Sequence, residues 1–353
     1  MQLRELGWNS FFEEQWLSKE RTGMTPARIV EEQRQAFRVI SDAGEHGAEI
    51  TGHLRHTAAD RSALPAVGDW VSIHIPAGEP KALIHEVLPR RSRLSRKVAG
   101  DRLDEQIIVA NVDTVMVVTS LNGDLNPRRI ERYMAAVWDS GAQPVLLLSK
   151  SDLCSDPLSQ ASRIARIAPG AGVHVVCALS GEGLDELTPY FVTGSTVVLV
   201  GSSGVGKSTL INRLLQSDVQ VTRSVRQGDD RGRHATTYRR LFPLPGGGVL
   251  IDTPGIRELQ LWEGEGLDDT FSEIQQLALR CKFTDCRHQT EPGCAILRAI
   301  EENDLDAERL ENYYKLQREM AHLEIRRDPA AQSERKKLWR KRAMAYRRQN
   351  KGR

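Results

Sequence analysis

A short segment in the middle of the chain has the residue types and spacing needed to bind phosphate groups. Its first eight residues, Gly201–Ser208, match the pattern G-x-x-x-x-G-K-[ST] at every fixed position. The apolar residues 196–200 before it predict a buried strand, and the residues after it predict a helix. Backbone N–H groups at such a helix N-terminus form an anion site, to which Lys207 adds a charge and Ser208 a hydroxyl ligand for Mg²⁺. The predicted phosphate-binding residues are Gly201, Ser202, Ser203, Gly204, Val205, Gly206, Lys207, Ser208 and Thr209.

Two shorter motifs upstream predict that the bound base is guanine. The first follows the predicted strand 145–148 and resembles the Asn/Thr/Ser-Lys-x-Asp loop of GTPases, with serine in place of the commoner asparagine. Its aspartate accepts hydrogen bonds from guanine N1–H and the 2-amino group, and adenine would leave this carboxylate unpaired. The segment Cys177–Gly181 resembles the second base loop, whose backbone N–H contacts the guanine O6. We therefore favour GTP over ATP, with base-loop residues Ser149, Lys150, Ser151 and Asp152.

A third motif, Asp-Thr-Pro-Gly, follows the predicted strand 249–251. Its aspartate, Asp252, is suited to the coordination shell of Mg²⁺, and the N–H of Gly255 to sensing the γ-phosphate. A threonine from the polar segment before this strand would complete the shell, and Thr236 and Thr237 are both candidates. The predicted magnesium residues are Ser208, Thr237 and Asp252.

The order of these motifs predicts a circular permutation. Both base loops precede the phosphate loop, whereas an ordinary GTPase has them after it. The switch region then leads directly into the C-terminal domain, so we expect the nucleotide state to move that domain. Ile256 stands where many GTPases carry the glutamine that orients water. His234 is the predicted catalytic residue in its place, since imidazole can position water or accept its proton near neutral pH; a purely structural histidine is the alternative.

A cluster of metal-binding residue types lies further along the chain, with the spacing C-x4-C-x-H-x5-C. Three thiolates and one imidazole close a tetrahedral site and leave no position for a substrate. Free cysteines in a helical segment are the alternative. The cluster predicts one structural zinc ion, held by Cys281, Cys286, His288 and Cys294.

Composition and charge place the chain among ordinary globular proteins. Hydrophobic residues make up 40% and charged residues 27% of the sequence. The acidic start, with Glu13 and Glu14, predicts no secretory leader, and no stretch has the length of a membrane span. Residues 326–353 contain 12 Lys or Arg against 2 acidic residues, which suits a polyanion such as RNA or, alternatively, a solvated tail. We expect a cytoplasmic protein with reduced cysteines.

The pattern along the chain predicts a multidomain α/β protein. Short β-like runs before residue 90 suggest a small barrel, with the oligonucleotide-binding (OB) type as the leading candidate among small barrels. Alternating strands and helices after residue 105 indicate a parallel sheet. The predicted divisions are 1–25 N-terminal helix and extension, 26–90 OB-like barrel, 91–104 basic linker, 105–264 circularly permuted P-loop GTPase domain, 265–325 helical zinc-binding domain and 326–353 basic tail.

Together these motifs resemble the RsgA (YjeQ/EngC) family, the small ribosomal subunit biogenesis GTPases. The resemblance covers roughly residues 26–325 and is carried by the base loop before the phosphate loop, the Gly-Arg-His-x-Thr-Thr of 232–237, the Asp-Thr-Pro-Gly and the cysteine cluster. It implies a GTPase that binds the small (30S) ribosomal subunit and its 16S rRNA late in maturation. It also implies slow hydrolysis of GTP to GDP that the subunit stimulates. We expect a monomer that does not bind membranes, with Mg²⁺ and one Zn²⁺ as cofactors.

Two other functions fit the same motifs. One is a GTPase that acts on another RNA or protein partner. The other is a nucleotide-gated RNA-binding protein without significant catalysis.

Overall fold

The computed structural model describes residues 2–33, 36–97, 105–122, 125–217, 239–253, 259 and 264–327. Its N-terminal part is a closed barrel of five strands preceded by a short helix. The elements are α1 (Ser10–Leu17), β1 (Thr25–Gln33), β2 (Ala36–Ser41), β3 (Gly44–Ile50), α2 (Gly52–Thr57), β4 (Trp70–His74) and β5 (Lys81–Val87). The strands pair in the order β1-β2-β3-β5-β4, and β4 returns to β1 to close the barrel. The predicted small barrel is confirmed.

Two parts of the barrel differ from the sequence expectation. β1 was not anticipated, because residues 27–31 are all buried and show no alternation of apolar and polar positions. The β-like sequence pattern of Ala48–Leu54 predicts a strand throughout, but its last residues belong to α2, which begins at Gly52. The Thr51 hydroxyl accepts a hydrogen bond from the Leu54 N–H at 3.2 Å and caps that helix, so β3 ends at Ile50.

A two-stranded antiparallel ribbon connects the barrel to the next domain. It consists of β6 (Arg93–Lys97) and β7 (Glu105–Ala110). β6 lies within the stretch 91–104 that was predicted as a basic linker, so that stretch includes a paired strand. The domain boundaries themselves stay predictions.

In the residues that the structure describes, the central domain is a six-stranded sheet flanked by helices. Its elements are β8 (Thr114–Ser120), α3 (Pro127–Asp139), β9 (Gln143–Ser149), α4 (Pro157–Ala165), β10 (Gly172–Val176), β11 (Thr196–Val200), α5 (Lys207–Leu215), β12 (Arg239–Pro243) and β13 (Val249–Asp252). The order is β10-β9-β8-β11-β13-β12, parallel except that β12 runs antiparallel to β13. Every residue of β8 and β11 is buried, as expected for central parallel strands. The phosphate motif follows the carboxyl end of β11 and the two base motifs follow those of β9 and β10, all at one edge of the sheet.

The barrel and the central sheet are hydrogen-bonded to each other. The first half of β1 pairs with β4, and its second half pairs with β12. The register between β1 and β2 shifts between Ile29 and Glu31, where β1 passes from one partner to the other. All strands except those of the ribbon therefore belong to one eleven-stranded sheet within the described residues.

A buried arginine lies at the same junction. Arg28 is 1% exposed, and its guanidinium donates hydrogen bonds to carbonyl oxygens of Leu6, Gly68 (3.2 Å) and Asn111 (3.1 Å). Burial lowers the pKa of Arg28 to about 10, so the side chain remains charged at neutral pH. It therefore ties the N-terminal segment, the barrel and the strand leading into the sheet together.

The C-terminal helices pack against α3 of the central domain. They are α6 (Glu265–Thr270), α7 (Ser272–Ala278), α8 (Ala295–Glu301) and α9 (Ala307–Arg327). A Cβ atom on Gly266 would lie 2.1 Å from the Ala135 carbonyl oxygen, so α6 approaches α3 closely only because this residue is glycine. Within the described part of the chain, no helix combines the length and apolar character that a membrane span requires.

Buried charges hold these helices to the central domain. Arg309 of α9 forms an ion pair with Glu131 of α3 at 2.7 Å, and the two side chains are 6% and 3% exposed. Asn312 donates a second hydrogen bond to the same carboxylate, and Arg309 also pairs with Glu273. Burial raises the pKa of Glu131, against the opposing effect of Arg309.

Candidate functional site

The phosphate loop connects β11 to α5 at the carboxyl edge of the sheet. Gly201 has φ 145°, and a Cβ there would lie 2.3 Å from the Val118 carbonyl oxygen. Only glycine therefore fits where the chain leaves β11. Gly206 has φ 100° and immediately precedes α5, which begins at Lys207. α5 therefore begins directly after Gly206, and the N-terminal amides of a helix in this position can bind an anion.

Lys207 and Asp252 place opposite charges at this edge. The Lys207 ammonium donates hydrogen bonds to the carbonyl oxygens of Gly201 and Ser202, both at 2.7 Å. Asp252 is the last residue of β13 and is buried; burial raises its pKa to about 6, and the charge of Lys207 opposes that rise. A buried carboxylate beside a phosphate loop is suited to bind a divalent cation, because the positive charge of the cation would compensate the negative charge that burial has removed from contact with water.

The serine of the first base loop bonds to the phosphate loop. Ser149 is the last residue of β9, and its hydroxyl lies 2.6 Å from the Val205 carbonyl oxygen and 3.2 Å from that of Thr119. A hydroxyl therefore serves here to hold the base loop against the phosphate loop. Lys150 follows with φ 58°, a left-handed conformation that turns the chain at the strand end.

Asp152, the predicted base-binding residue, is exposed and contacts the predicted second base loop. The Cys177 thiol donates a hydrogen bond to Asp152 Oδ1 at 3.3 Å. The Ser151 hydroxyl is buried and has no hydrogen-bond partner among the described residues. The exposed Asp152 side chain is therefore accessible from solvent at this edge of the sheet.

Residues that sequence reasoning did not identify position the second base loop. Arg213 of α5 donates hydrogen bonds to the carbonyl oxygens of Ala178 (3.0 Å) and Leu179 (2.5 Å). Cys177 was part of the predicted segment Cys177–Gly181, but its contact with Asp152 was not predicted. Arg213 has no local signal, because its partners lie more than 30 residues away in the sequence.

Several predicted site residues lie outside the described residues. These are the catalytic candidate His234, the magnesium candidates Thr236 and Thr237, and the residues Gly255 and Ile256 of the third motif.

The four predicted metal ligands come together beside α7 and α8. Their ligand atoms all lie within 4.8 Å of one another. The Cys281 sulfur is 3.9 Å from that of Cys294, and His288 Nδ1 is 3.5 Å and 3.4 Å from these two sulfurs. Zn–S and Zn–N bonds of about 2.3 and 2.0 Å in a tetrahedron give edges of about 3.8 and 3.5 Å. Together with Cys286, these residues could hold a metal ion of that size.

Local backbone contacts shape the ligand turn. Cys294 caps α8, and its sulfur accepts a hydrogen bond from the Leu297 N–H at 3.5 Å. The Glu291 carboxylate accepts backbone hydrogen bonds from Arg287 (3.1 Å), Gln289 (2.8 Å) and Thr290 (3.0 Å). These bonds lower the pKa of Glu291 to about 2 and hold the turn that carries His288.

Comparison with other proteins identifies the relatives of this chain. A family model described as RsgA GTPase matches residues 87–262. The small ribosomal subunit biogenesis GTPase RsgA 2 of Lactiplantibacillus plantarum is 49% identical over 306 residues, covering 87% of this chain and 86% of that protein. The protein named small ribosomal subunit biogenesis GTPase RsgA from Opitutus terrae is 45% identical over 351 residues, covering 97% of this chain and 96% of its own length.

Solved structures agree with the fold. The crystal structure of YjeQ from Thermotoga maritima is 26% identical, with a TM-score of 0.61, and the match covers 84% of this chain and 99% of that chain. YloQ, described as a circularly permuted GTPase, matches with a TM-score of 0.60 at 23% identity over 88% of this chain and 99% of its own, and supports the fold alone. The same relationship accounts for three features of the structure: the strand order, the phosphate and base loops at one sheet edge, and the cysteine–histidine cluster. We conclude that the chain belongs to the RsgA family of GTPases.

Proposed function

We propose that this protein is a GTPase that binds the small ribosomal subunit and acts in its late maturation, hydrolysing GTP to GDP with turnover that the subunit stimulates. The observation that carries the proposal is the permuted sheet, which brings the phosphate loop, Asp252 and the guanine-reading loop to one edge. The relatives that match most of its length are named small ribosomal subunit biogenesis GTPases. The proposed partners are the subunit and its 16S rRNA, and the proposed location is the cytoplasm.

The proposed nucleotide chemistry assigns a role to each group at this edge. The backbone of Gly201–Ser208 holds the phosphates, and the Lys207 ammonium exchanges its two carbonyl contacts for phosphate oxygens. Ser208 and Asp252, with Thr237, are the proposed ligands of Mg²⁺, which neutralises charge on the β- and γ-phosphates when bound. His234 is the proposed residue that positions the attacking water.

The proposed base recognition depends on Asp152. Its carboxylate accepts both guanine hydrogen bonds, while Ser149 and Cys177 hold the two base loops in place. Lys150 extends along the base. The selectivity arises because a base without the donor pair leaves a negative charge unpaired.

The proposed zinc ion is structural. Four protein ligands complete the tetrahedron, so there is no open position for water or substrate. The ion would hold the C-terminal helices in the arrangement that packs on α3. We further propose that the protein acts as a monomer.

Turnover measured with and without purified small subunits tests the proposal. Stimulation of at least about tenfold by the subunit is expected, since the effect of completing a GTPase site in trans is large. No turnover in either condition would overturn the enzymatic proposal. Stimulation by another RNA or protein, but not by the subunit, would overturn the proposed partner.

A matched variant, Asp152→Asn, tests base recognition separately from folding. Xanthine carries an oxygen where guanine carries the 2-amino group, so an asparagine amide can donate to it. We expect the variant to lose binding to GTP and to gain binding to xanthosine triphosphate. A variant that kept its GTP affinity would refute the role of Asp152.

A further inference from the structure

A row of three charged residues crosses from the barrel to the candidate magnesium site. Arg240 of β12 lies opposite Asp252 of β13 in one antiparallel pair and opposite Glu31 of β1 in the other. Residues directly opposite in antiparallel strands project from the same face of a sheet. The three side chains therefore start from one face, and Arg240 lies 3.8 Å from the Glu31 carboxylate.

The neighbouring row forms a closer ion pair. Arg239 Nη1 lies 3.0 Å from Glu32 Oε2, and the two side chains are 16% and 29% exposed. Burial lowers the pKa of Arg239, and the nearby charge of Arg96 acts in the same direction, while Glu32 opposes both. Glu32 is therefore the group that stabilises this half-buried cation.

The pairing between the two domains is short. Among the described residues, β1 and β12 share two residue pairs, Glu31 with Arg240 and Glu32 with Arg239. By contrast, the other half of β1 is held by four pairs with β4. A seam of two pairs can loosen without unfolding either domain, because β1 keeps β2 and β4 as partners and β12 keeps β13.

The place of β12 in the chain links this seam to the nucleotide. In the sequence, β12 begins at Arg239, one residue beyond the Gly-Arg-His-x-Thr-Thr segment 232–237, and it lies beside the strand that ends at Asp252. A change in how Asp252 is coordinated thus acts on β12, whose other edge pairs with β1 of the barrel.

We propose that β12 couples the nucleotide site to the barrel, with Arg239 and Glu32 as positioning residues. Binding of Mg²⁺ and GTP at Asp252 changes the strength of the β1–β12 pairing. A barrel ligand whose affinity depends on that pairing is then coupled to GTP, and by linkage each of the two ligands changes the affinity for the other by the same factor. The ligand that we assign to the barrel, RNA of the small subunit, rests on the proposed function. The coupling between β12 and β1 does not.

Amide hydrogen exchange of the full-length protein without ribosomes tests the coupling itself. Peptides covering β1 are compared in the GDP form and in the form with Mg²⁺ and a non-hydrolysable GTP analogue. We expect the exchange rate of the second half of β1 to differ by about fivefold or more between the two forms, the lower end of usual couplings between sites. Equal exchange in both forms would overturn the proposal.

Three variants distinguish a positioning role of the Arg239–Glu32 pair from a general effect of this pair on protein stability. Glu32→Gln and Arg239→Gln should each abolish most of the difference, and the exchanged pair Glu32→Arg with Arg239→Glu should restore it. Glu49→Gln is the matched control, because it removes a barrel ion pair with Lys81 on strands that do not contact β12. A difference that survived in both single variants at its original size would overturn the role of the pair.

Turnover then connects the coupling to the proposed function. Glu32→Gln should leave the KM for GTP and the unstimulated kcat within about twofold of the original protein, while it shifts the subunit concentration needed for half-maximal stimulation by about fivefold. An unchanged half-maximal concentration in this variant would contradict the assignment of barrel RNA as the coupled ligand. If no form were stimulated by the subunit, the proposed function would fail, but the exchange difference in β1 would still support the coupling.

Discussion

Replacing Arg309 by methionine tests the energetic role of the buried ion pair between α3 and α9. Both side chains of the pair are almost fully buried, at 6% and 3% exposure. Removing one partner of a buried pair costs about 3–5 kcal/mol, because the remaining charge is left uncompensated. That free energy corresponds to a roughly 10²–10⁴-fold increase in local opening.

The effect should depend on pH in a defined direction. Burial already raises the pKa of Glu131, and removal of Arg309 takes away the group that opposes this rise. A raised folded-state pKa contributes stability that is present below the unfolded value and is lost as pH rises through the folded value. Arg309→Met should therefore destabilise the interface more at pH 8 than at pH 5.

Hydrogen exchange of peptides covering α3 and α9 measures this opening at both pH values. Arg128→Met is the matched control on the same interface, since Arg128 pairs with Glu308 and Glu311 at 3.5 and 3.2 Å but is 46% exposed. The Arg128→Met variant should lower the free energy of unfolding by less than about 1 kcal/mol. The double variant Arg309→Met with Glu131→Leu should recover most of the loss. Equal effects of the two arginine variants, or a double variant no more stable than Arg309→Met, would refute the reasoning.

Three further predictions concern packing, the base loop and the metal. Gly266→Ala should lower the stability by about 1–3 kcal/mol in thermal unfolding, because its methyl group would overlap the Ala135 carbonyl, whereas Gly246→Ala, with open space around it, should be neutral. Ser149→Ala should weaken binding of a fluorescent GDP analogue by about 1 kcal/mol through loss of its two carbonyl contacts, and unchanged affinity would contradict the role assigned to this hydroxyl. Removal of metal by a chelator, or Cys286→Ser, should reduce the helical circular dichroism of the C-terminal module while GDP affinity stays within about twofold, and retention of the full signal would argue against a structural ion.

The parts of the site that could be predicted from the sequence are those made by consecutive residues. The phosphate loop, the base loop and the cysteine cluster each lie within a short stretch, so residue types and spacing are enough to indicate their chemistry. The order of these motifs also predicted the permuted sheet, because the carboxyl ends of parallel strands meet at one edge.

The contacts between domains could not be predicted in this way. Arg309 and Glu131 are 178 residues apart, and Arg239 and Glu32 are 207 residues apart. Arg28 appears in the sequence as an ordinary charged residue of a strand that lacks alternation, so neither its burial nor its carbonyl partners leave a local pattern. The sequence led us to expect that nucleotide state acts on the C-terminal domain, whereas the pairing of β12 connects the switch side of the sheet with the N-terminal barrel.

The long separation between β1 and β12 also has a consequence during synthesis of the protein. The barrel can close as soon as β5 has left the ribosome, but the second half of β1 then lacks its neighbour until β12 emerges. At about 5–20 residues per second, the separation of 207 residues corresponds to a delay of roughly 10–40 s. During that time the open edge of the strand carries Glu31 and Glu32, and adjacent carboxylates on a strand edge disfavour pairing with another chain. We therefore expect the two side chains that later meet Arg239 and Arg240 to disfavour aggregation of the nascent barrel.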